Sequence, residues 1–188
     1  MNDIKVTAYK SARGLSELAR TKIEHIYLDS FPAEERRPLD SWWTLLDDEE
    51  SLMTLHLVED TSGNVIGFIT CWHLDGFVYV EHFAIDSNRR CGGTGSSALR
   101  QMLAMQLLPV VLEVEHAEAN EMASRRIGFY NRVGFSPIEN FDYIQPPYSE
   151  GLPAVPLLLM TTKPGEIAPS EIRRQLHRVV YGLSLIHI

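Results

Sequence analysis

The stretch "FAIDSNRRCGGTGSSAL" (residues 83–99) joins an apolar segment to a helix-like segment through a loop with three glycines and two arginines. At the start of a helix the first backbone N–H groups lack intrahelical acceptors, and the helix dipole favours negative charge there. Glycine lets a ligand approach the backbone closely, while Arg89 or Arg90 can add charge-assisted hydrogen bonds. The stretch therefore predicts an anion-binding loop at a strand-to-helix junction, and a pyrophosphate fits it well.

The segments before this loop predict an antiparallel meander. Three strand-like runs, residues 52–60, 65–74 and 77–85, are separated by "TSGN" and "DG", which favour tight turns. An alternating N-terminal run and two helix-like segments, the first over residues 16–29, precede the meander.

The segments after the loop follow a different pattern. A helix over residues 94–108, stopped by Pro109, leads to the strand-like run "VVLEVE", and this order favours a right-handed crossover between parallel strands. A helix over residues 120–133, two more strands and a terminal helix with Ser170 as its N-cap follow. The predicted order is βααβββαβαββα, an α+β fold with a mixed, mostly antiparallel sheet and helices on its faces.

The composition indicates an acidic globular protein. With 188 residues, 45% of them hydrophobic, the chain can bury a core as a single domain. Its formal net charge of −8 argues against binding to nucleic acids or anionic membranes, since phosphates require clustered lysine and arginine. No run approaches the roughly 18 apolar residues of a membrane span, and the two cysteines show no metal-site spacing. We therefore expect a cytoplasmic protein without a metal site.

A dinucleotide-binding loop is the main alternative for the glycine-rich stretch. Gly93-Thr-Gly95-Ser-Ser-Ala98 satisfies the pattern G-x-G-x-x-G/A, and Glu113 follows twenty residues after Gly93. In a dinucleotide fold, however, the strand runs almost directly into the first glycine, whereas seven residues separate Ile85 from Gly93 here. One crossover behind a meander also differs from the two βαβαβ halves of that fold. A P-loop is excluded because no Gly-Lys-Ser/Thr follows.

Two motifs resemble those of a known family. The stretch 83–99 resembles the acetyl-CoA-binding motif of the GNAT superfamily of N-acyltransferases, and "RRIGFYNRVGF" (residues 125–135) resembles its second motif. Together with "FPAEERRP" and "YIQPPY", they resemble a bacterial GNAT subgroup whose acceptors are mostly unassigned. The resemblance covers about residues 3–162 and implies a GNAT-like fold with a splayed parallel pair at strands 4 and 5.

The resemblance also implies domain limits. A single acetyltransferase domain is expected over residues 1–168, with a C-terminal helix over 169–182. Residues 183–188, which add "LSLIHI" after a natural stop, are a candidate non-native tail.

The resemblance implies acetyl-CoA as the acetyl donor and names the residues that hold it. The loop would bind the pyrophosphate, and the backbone of Phe83 and Ile85 would bond to the pantetheine arm. One departure is Ala123, where family members often carry an asparagine; Asn120 lies three residues too early. The implied cofactor-binding residues are Phe83, Ala84, Ile85, Arg89, Arg90, Cys91, Gly92, Gly93, Thr94, Gly95, Ser96 and Arg126.

Two residues are candidates for catalysis. Tyr130 matches the family tyrosine that points to the thioester sulfur, which makes it the candidate general acid. Glu81 is a carboxylate within an otherwise apolar strand, and it is the first candidate for the base that deprotonates an amine. Glu113 and Glu115 stay open as alternative bases. His82 is expected on the opposite face of the strand from Glu81.

These observations predict an N-acetyltransferase that moves the acetyl group of acetyl-CoA to a primary amine by direct attack in a ternary complex. The acceptor would be a small-molecule or peptide amine, and family habit suggests a homodimer. The alternative is a non-catalytic acyl-CoA-binding or sensor module that kept the loop and lost the transfer.

Overall fold

The computed structural model describes residues 3–90, 92–148 and 151–183, without the side chain of Glu34. Cys91 and all but the first residue of the predicted tail lie outside the described residues. The chain divides into two compact units. One combines the residues up to His73 with Val80–Leu107, and the other combines Leu74–Tyr79 with the residues from Leu108 onwards.

The order of elements confirms the predicted α+β fold. The strands are β1 (Ile4–Tyr9), β2 (Met53–Asp60), β3 (Val65–Leu74), β4 (Phe77–Ile85), β5 (Val110–Val114), β6 (Ser136–Pro137), β7 (Tyr143–Gln145) and β8 (Val155–Thr161). The helices are α1 (Glu17–Ser30), α2 (Leu39–Asp47), α3 (Thr94–Ala104), α4 (Glu121–Val133) and α5 (Pro169–Gln175), which continues as a π-helical turn, Leu176–Val180. The short strand β6 is the one element that the pattern did not predict. None of the helices in the described ranges is long and apolar enough to cross a bilayer.

The first unit contains the antiparallel meander. Strand β1 pairs with β2 and β2 pairs with β3, both antiparallel, and β4 lies beside β3. Strands β3 and β4 approach closely at Gly67, where a Cβ atom would lie 2.6 Å from the carbonyl oxygen of Ala84. A side chain at this position would push the two strands apart, which explains the glycine in the middle of a strand.

Helices cover both faces of this meander, as predicted. On one face the Phe68 ring packs against Tyr27 of α1 and Trp42 of α2, with ring centroids 6.0 and 5.5 Å apart. Phe68 pairs with Leu57, so the next residue on β2, Val58, points to the other face. There Val58 packs in a buried cluster with Ala98 of α3.

The second unit contains the start of β4 and the whole of β5. The backbone N–H of Val78, near the start of β4, donates to the Pro109 carbonyl at the start of β5 over 2.9 Å. Strand β5 then pairs antiparallel with β8, in a register that places Glu113 opposite Leu159. Strands β6 and β7 both pair with β8. The predicted mixed sheet with one parallel pair at strands 4 and 5 is confirmed.

Two helix ends differ from the prediction. Helix α3 ends at Ala104 rather than at residue 108, because the apolar residues that follow, Met105 and Leu107, are 47% and 92% exposed and have no core to pack against. Helix α5 begins at Pro169 with Ala168 at the N-cap, so Ser170 is not the cap. Proline suits the first helical position because it lacks an N–H group and its φ is already helical.

A buried histidine on β2 makes the stability of the first unit depend on pH. His56 is 2% exposed, and its Nδ1 atom has no hydrogen-bond partner among the described residues. Burial, with a smaller contribution from His73, lowers the pKa of His56 from 6.5 to about 4. The unfolded chain therefore binds a proton at a higher pH than the folded chain does. The resulting stability is present above pH 6.5 and is lost as the pH falls towards 4.

We expect His56 to contribute a loss of about 2 kcal/mol in the free energy of unfolding between about pH 7 and about pH 5. Urea denaturation at the two pH values measures this loss. His56→Gln should reduce the pH dependence by that amount, whereas His25→Gln, at an exposed position, should leave it unchanged. An equal pH dependence in the wild-type protein and His56→Gln would contradict the prediction.

Candidate active site

The glycine-rich loop reverses the chain between β4 and α3 with two left-handed residues. Gly92 and Gly93 have φ angles of 70° and 79°, which other residues rarely adopt. Before them, the Asp86 carboxylate accepts from Asn88 N over 2.9 Å and closes a short 3-10 turn. Helix α3 begins at Thr94, directly after the second glycine. Its first backbone N–H groups therefore lie in the loop that the sequence predicted to hold an anion.

Helix α3, like α2 and α5, starts without a side-chain cap from the described residues, whereas α1 and α4 are capped. Ser16 accepts from Ala19 N at the start of α1, and Asn120 accepts from Ala123 N at the start of α4. No side chain among the described residues caps α3 in this way. Its first backbone bond runs from Ser97 N to the Gly93 carbonyl. An anion can take the place of a cap, because it accepts hydrogen bonds from the first N–H groups and is attracted by the dipole.

The two arginines of the loop have different surroundings. Arg90 donates from Nε to the Ile85 carbonyl over 2.9 Å and from Nη2 to the Ser30 hydroxyl over 3.1 Å, which fastens the loop to the end of β4 and to α1. Arg89 is 55% exposed and lies 3.5 Å from the Asp60 carboxylate. A ligand that bonds to the Ile85 carbonyl has to share it with Arg90. Arg89 is the more accessible of the two guanidinium groups.

Strand β4 contains an irregularity in its hydrogen bonding. The N–H group of Val78 points to β5, whereas the N–H group of Asp86, directly after the strand, donates to Ile66 on the β3 side over 2.8 Å. The two residues are an even number of positions apart, so in a regular strand both groups would point to the same side. His82 N donates to the Thr70 hydroxyl over 3.1 Å. The strand therefore changes register between Val78 and Asp86, as at a β-bulge.

This irregularity corrects the expectation for His82. Strict alternation predicted that His82 and Glu81 point to opposite faces, but His82 Nδ1 lies 3.7 Å from Glu81 Oε2. The solvent exposure of Glu81 also shows which part of this residue is accessible. The residue as a whole is half-buried while its side chain is 0% exposed, so the accessible part is the backbone. The backbone of β4 is thus accessible to solvent at Glu81.

The Glu81 carboxylate is surrounded by donors. Oε1 accepts from Arg37 Nε over 2.9 Å and lies 2.8 Å from Arg37 Nη2, while Oε2 accepts from Trp72 Nε1 over 2.9 Å. Burial alone raises the pKa of the Glu81 carboxyl, but Arg37 and the hydrogen bonds outweigh it and hold the pKa below its ordinary value. Glu81 is therefore ionised at neutral pH and both of its oxygens accept bonds from the protein.

The same cluster fastens the segment between α1 and α2, residues 31–38. The Arg37 backbone N–H donates to the Tyr27 hydroxyl over 2.9 Å, and His82 Nε2 lies 3.2 Å from the Glu35 carbonyl. Because a carbonyl only accepts, His82 carries its proton on Nε2 in this contact. Burial lowers the pKa of His82, so its ring is neutral at neutral pH. Residues 31–38 are thus tied to β4 through the side chains of Arg37 and His82, and to α1 through the backbone bond from Arg37 to Tyr27.

Tyr130 on α4 differs from the buried tyrosines in the hydrogen bonding of its hydroxyl group. Its ring is half-buried between Phe129 and Phe135, with centroid distances of 5.2 and 5.8 Å. Its hydroxyl makes no hydrogen bond to any residue in the described part of the chain. Burial raises the pKa of Tyr130 to about 12. Tyr130 therefore presents a protonated hydroxyl with no hydrogen-bond partner among the described residues.

The contacts of Asn120 and Arg126 show what these two residues do in the structure. Asn120 is the N-cap and accepts from Ala123 N over 2.8 Å, while Ala123 itself is 0% exposed. Asn120 thus serves the helix and does not replace the family asparagine. Arg126 forms an exposed ion pair with Glu115, with 2.6 Å between Nη1 and Oε2. Such a pair contributes little to stability, so Arg126 can exchange it for a phosphate at low cost.

Glu113 has partners that the sequence did not indicate. It accepts hydrogen bonds from the hydroxyl groups of Tyr143 and Tyr181, the latter over 2.8 Å. The aromatic run "YIQPPY" signalled the first of these tyrosines, but no spacing rule links Tyr181 to a residue 68 positions earlier.

Comparison with known proteins identifies the family. The sequence pattern of the acetyltransferase (GNAT) family matches residues 20–135, more than half of the chain. This protein belongs to the GNAT family. None of the curated proteins matches it. The GNAT assignment confirms the predicted acyltransferase activity with acetyl-CoA as cosubstrate and sets aside the dinucleotide interpretation of the loop.

Solved structures agree with this assignment. A GNAT-family protein from Bacteroides thetaiotaomicron is 36% identical, with 97% of this chain and 99% of that chain covered and a TM-score of 0.84. A GNAT acetyltransferase from Elizabethkingia anophelis with acetyl-CoA bound is 14% identical, with 87% and 99% covered and a TM-score of 0.58. Spermidine N-acetyltransferase from Vibrio cholerae with CoA and spermine is 14% identical, with 84% and 94% covered and a TM-score of 0.59. The two distant structures share the fold.

The structure divides the predicted site residues of this GNAT protein between the two units. The first unit contains Glu81 and the junction of β4 and α3, and the second contains Tyr130 and Arg126. Cys91 lies outside the described residues. The residues brought to the junction are Phe83, Ala84, Ile85, Arg89, Arg90, Gly92, Gly93, Thr94, Gly95 and Ser96. Their individual roles stay predictions.

We expect Gly93→Asp to weaken acetyl-CoA binding by about tenfold or more, because it places a carboxylate at a helix N-terminus that would hold a phosphate. Aspartate tolerates the left-handed conformation better than most residues. Gly63→Asp is the matched control, since Gly63 has the same φ of 79° and equally open surroundings. Isothermal titration calorimetry with acetyl-CoA measures both variants. An equal loss of affinity in the two variants would show that backbone strain, and not the loop's charge preference, is responsible.

Proposed function

We propose that this GNAT protein transfers the acetyl group of acetyl-CoA to a primary amine by direct attack in a ternary complex. The amine nitrogen forms a bond to the thioester carbonyl carbon, the carbon–sulfur bond breaks, and the products are an amide and CoA. The proton that the amine loses has to reach a base, and the departing thiolate has to gain one. The observation that carries the proposal is the protonated hydroxyl of Tyr130, which has no hydrogen-bond partner in the described part of the chain.

Tyr130 is the proposed acid. Its hydroxyl is not committed to any described residue, and its raised pKa keeps it protonated at neutral pH. A pKa of about 12 lies above that of an ordinary thiol. Tyr130 therefore acts mainly as a hydrogen-bond donor to the sulfur as negative charge develops there, and the proton released by the amine completes the balance.

Replacing Tyr130 with Phe should lower turnover by about 100-fold while changing acetyl-CoA affinity by less than about twofold. The ring and its packing stay, and only the donor is removed. A thiol-release assay with saturating amine measures turnover, and calorimetry measures affinity. Tyr9→Phe, which removes a phenol hydroxyl from a half-buried tyrosine on β1, serves as the control. Unchanged turnover in Tyr130→Phe would remove Tyr130 as the acid.

Glu81 as the base stays a prediction. Glu81 lies where β4 has an accessible backbone, and its side chain holds a charge away from bulk water. Its ion pair with Arg37 lowers its basicity, so the base role requires that this pair weakens when substrate is bound. The alternative is that Glu81 only anchors residues 31–38. Glu113 and Glu115 remain the other candidate bases.

Two matched variants separate these roles of Glu81. If Glu81 is the base, Glu81→Gln should lower kcat/KM by about 100-fold or more. Arg37→Gln keeps the carboxylate and removes the cation that lowers its pKa, so it should retain more activity and move the acidic limb of the kcat/KM profile to higher pH. The measurement is kcat/KM against pH for both variants. If both variants lose the same activity with no movement of the limb, Glu81 acts as an anchor and not as the base.

The proposed acceptor is a small-molecule or peptide primary amine. The net charge of −8 suits a cationic acceptor. A homodimer, a cytoplasmic location and a single acetyltransferase domain over residues 1–168 stay predictions.

A further inference from the structure

Four tyrosines surround one glutamate in the second unit. The cluster consists of Tyr79 on β4, Glu113 on β5, Tyr143 on β7, Tyr148 after β7, and Tyr181 after the π-helical turn. We call it the tyrosine–glutamate cluster. All five residues lie within the second unit, although they come from five different parts of the chain.

The Glu113 carboxylate is the centre of this cluster. Oε1 accepts from the Tyr143 hydroxyl, and Oε2 accepts from the Tyr181 hydroxyl over 2.8 Å. The Tyr79 hydroxyl lies 3.2 Å from the Tyr181 hydroxyl. Because Tyr181 gives its single proton to Glu113, Tyr79 is the donor in this second pair. Hydrogen bonds to the charged form of a carboxylate stabilise that form, so the cluster holds a negative charge.

The members of the cluster differ in burial. Tyr79 and Tyr143 are 1% and 2% exposed. Glu113, Tyr148 and Tyr181 are half-buried, and the rings of Tyr148 and Tyr181 lie 5.3 Å apart at an angle of 50°. Glu113, Tyr148 and Tyr181 are therefore the members of the cluster that retain accessible surface.

The electrostatic surroundings favour a cation. Burial and the Glu113 charge raise the pKa of both Tyr143 and Tyr181, and the other groups that act on these hydroxyls most strongly are tyrosines. The Glu113 charge opposes a second negative charge next to these hydroxyls. Burial disfavours a charge of either sign, but a positive charge gains attraction to the carboxylate and to the negative faces of the rings.

We propose that the tyrosine–glutamate cluster binds the positively charged ammonium group of the amine acceptor. The inference rests on the proposed function, because it names the site and charge state in which the acceptor is recognised. An ammonium group offers several N–H donors and a compact charge, which match a carboxylate next to aromatic faces. A neutral or anionic acceptor would gain neither interaction.

The C-terminal segment becomes part of this site. Gln175, which is 3% exposed, donates from Nε2 to the Asp75 carbonyl and accepts from Asp75 N, both over 2.9 Å. This pair of bonds fixes α5 to the turn between β3 and β4, within the second unit. It thereby holds the following π-helical turn and Tyr181 at Glu113. The segment predicted as an additional C-terminal helix thus supplies a binding residue.

Tetramethylammonium is the probe for this proposal, because it carries the charge but has no N–H group and cannot be acetylated. Tyrosine ring signals in NMR spectra, followed during titration of the full chain, report its binding. We expect saturable binding that Glu113→Gln weakens by about tenfold or more. Glu115→Gln, on the same stretch of chain but paired with Arg126, should change the affinity by less than about twofold. No saturable binding, or equal affinity in Glu113→Gln and the wild-type protein, overturns the proposal.

A second variant guards against misfolding of Glu113→Gln, since that change leaves two buried phenols with a weaker acceptor. Tyr148→Leu removes a half-buried ring of the cluster. It leaves the Glu113 carboxylate and the hydroxyl groups of Tyr143 and Tyr181 intact. It should weaken tetramethylammonium binding by at least about threefold through the lost cation–π contact. Unchanged affinity in Tyr148→Leu overturns the assignment of the rings to the site.

Kinetics with an amine panel separate failure of this inference from failure of the proposed function. If the wild-type protein binds tetramethylammonium through Glu113 but acetylates no amine, the cluster stands and the N-acetyltransferase proposal fails. If amines are acetylated and Glu113→Gln leaves KM for them unchanged, the function stands and the cluster inference fails. A rise in KM of about tenfold with unchanged acetyl-CoA affinity supports both.

Discussion

The parallel pairing of β4 with β5 is the constraint on which the rest of this protein depends. A tight turn cannot join two parallel strands, so the chain has to leave the end of β4 and return to run in the same direction as before. Helix α3 makes this return, and its N-terminus therefore follows directly after β4. The glycine-rich loop with Gly92 and Gly93 lies at this point, and it needs left-handed backbone to turn the chain. A requirement of sheet topology thus places an uncapped helix start at the glycine-rich loop, whose role in acetyl-CoA binding stays a prediction.

Two buried or half-buried carboxylates show how differently a protein can treat the same chemical group. Glu81 is paired with a guanidinium group, and this pair holds residues 31–38 against β4. Glu113 accepts from two phenols, which stabilise its charge but do not neutralise it. The rings of the phenols beside Glu113 can also face a cation, and this is the reason why we assign acceptor recognition to Glu113.

The predictions that proved wrong have a common physical origin. Local patterns extended α3 through apolar residues that have no core to pack against, and they placed the cap of α5 at Ser170 although Pro169 already starts the helix. Strict alternation put His82 on the face opposite to Glu81, but the change of register in β4 brings the two side chains to 3.7 Å. For α3 and β4, packing or strand pairing outweighs a local preference, whereas at α5 the preference of proline for the first helical position outweighs that of serine for the cap. Local preferences are worth only a fraction of a kcal/mol per residue, and tertiary contacts override them.

The sequence by itself determined the order of elements, the mixed sheet, the glycine-rich loop at the strand-to-helix junction and the candidate acid Tyr130, because these depend on periodicity and on motifs within a few residues. Only the tertiary structure decided which partners the carboxylates have. Arg37 and Glu81 are 44 positions apart, and Tyr181 and Glu113 are 68 positions apart. No local rule connects such residues. Their contacts arise when strands and helices pack, and packing also decides whether a carboxylate meets a guanidinium group or a phenol.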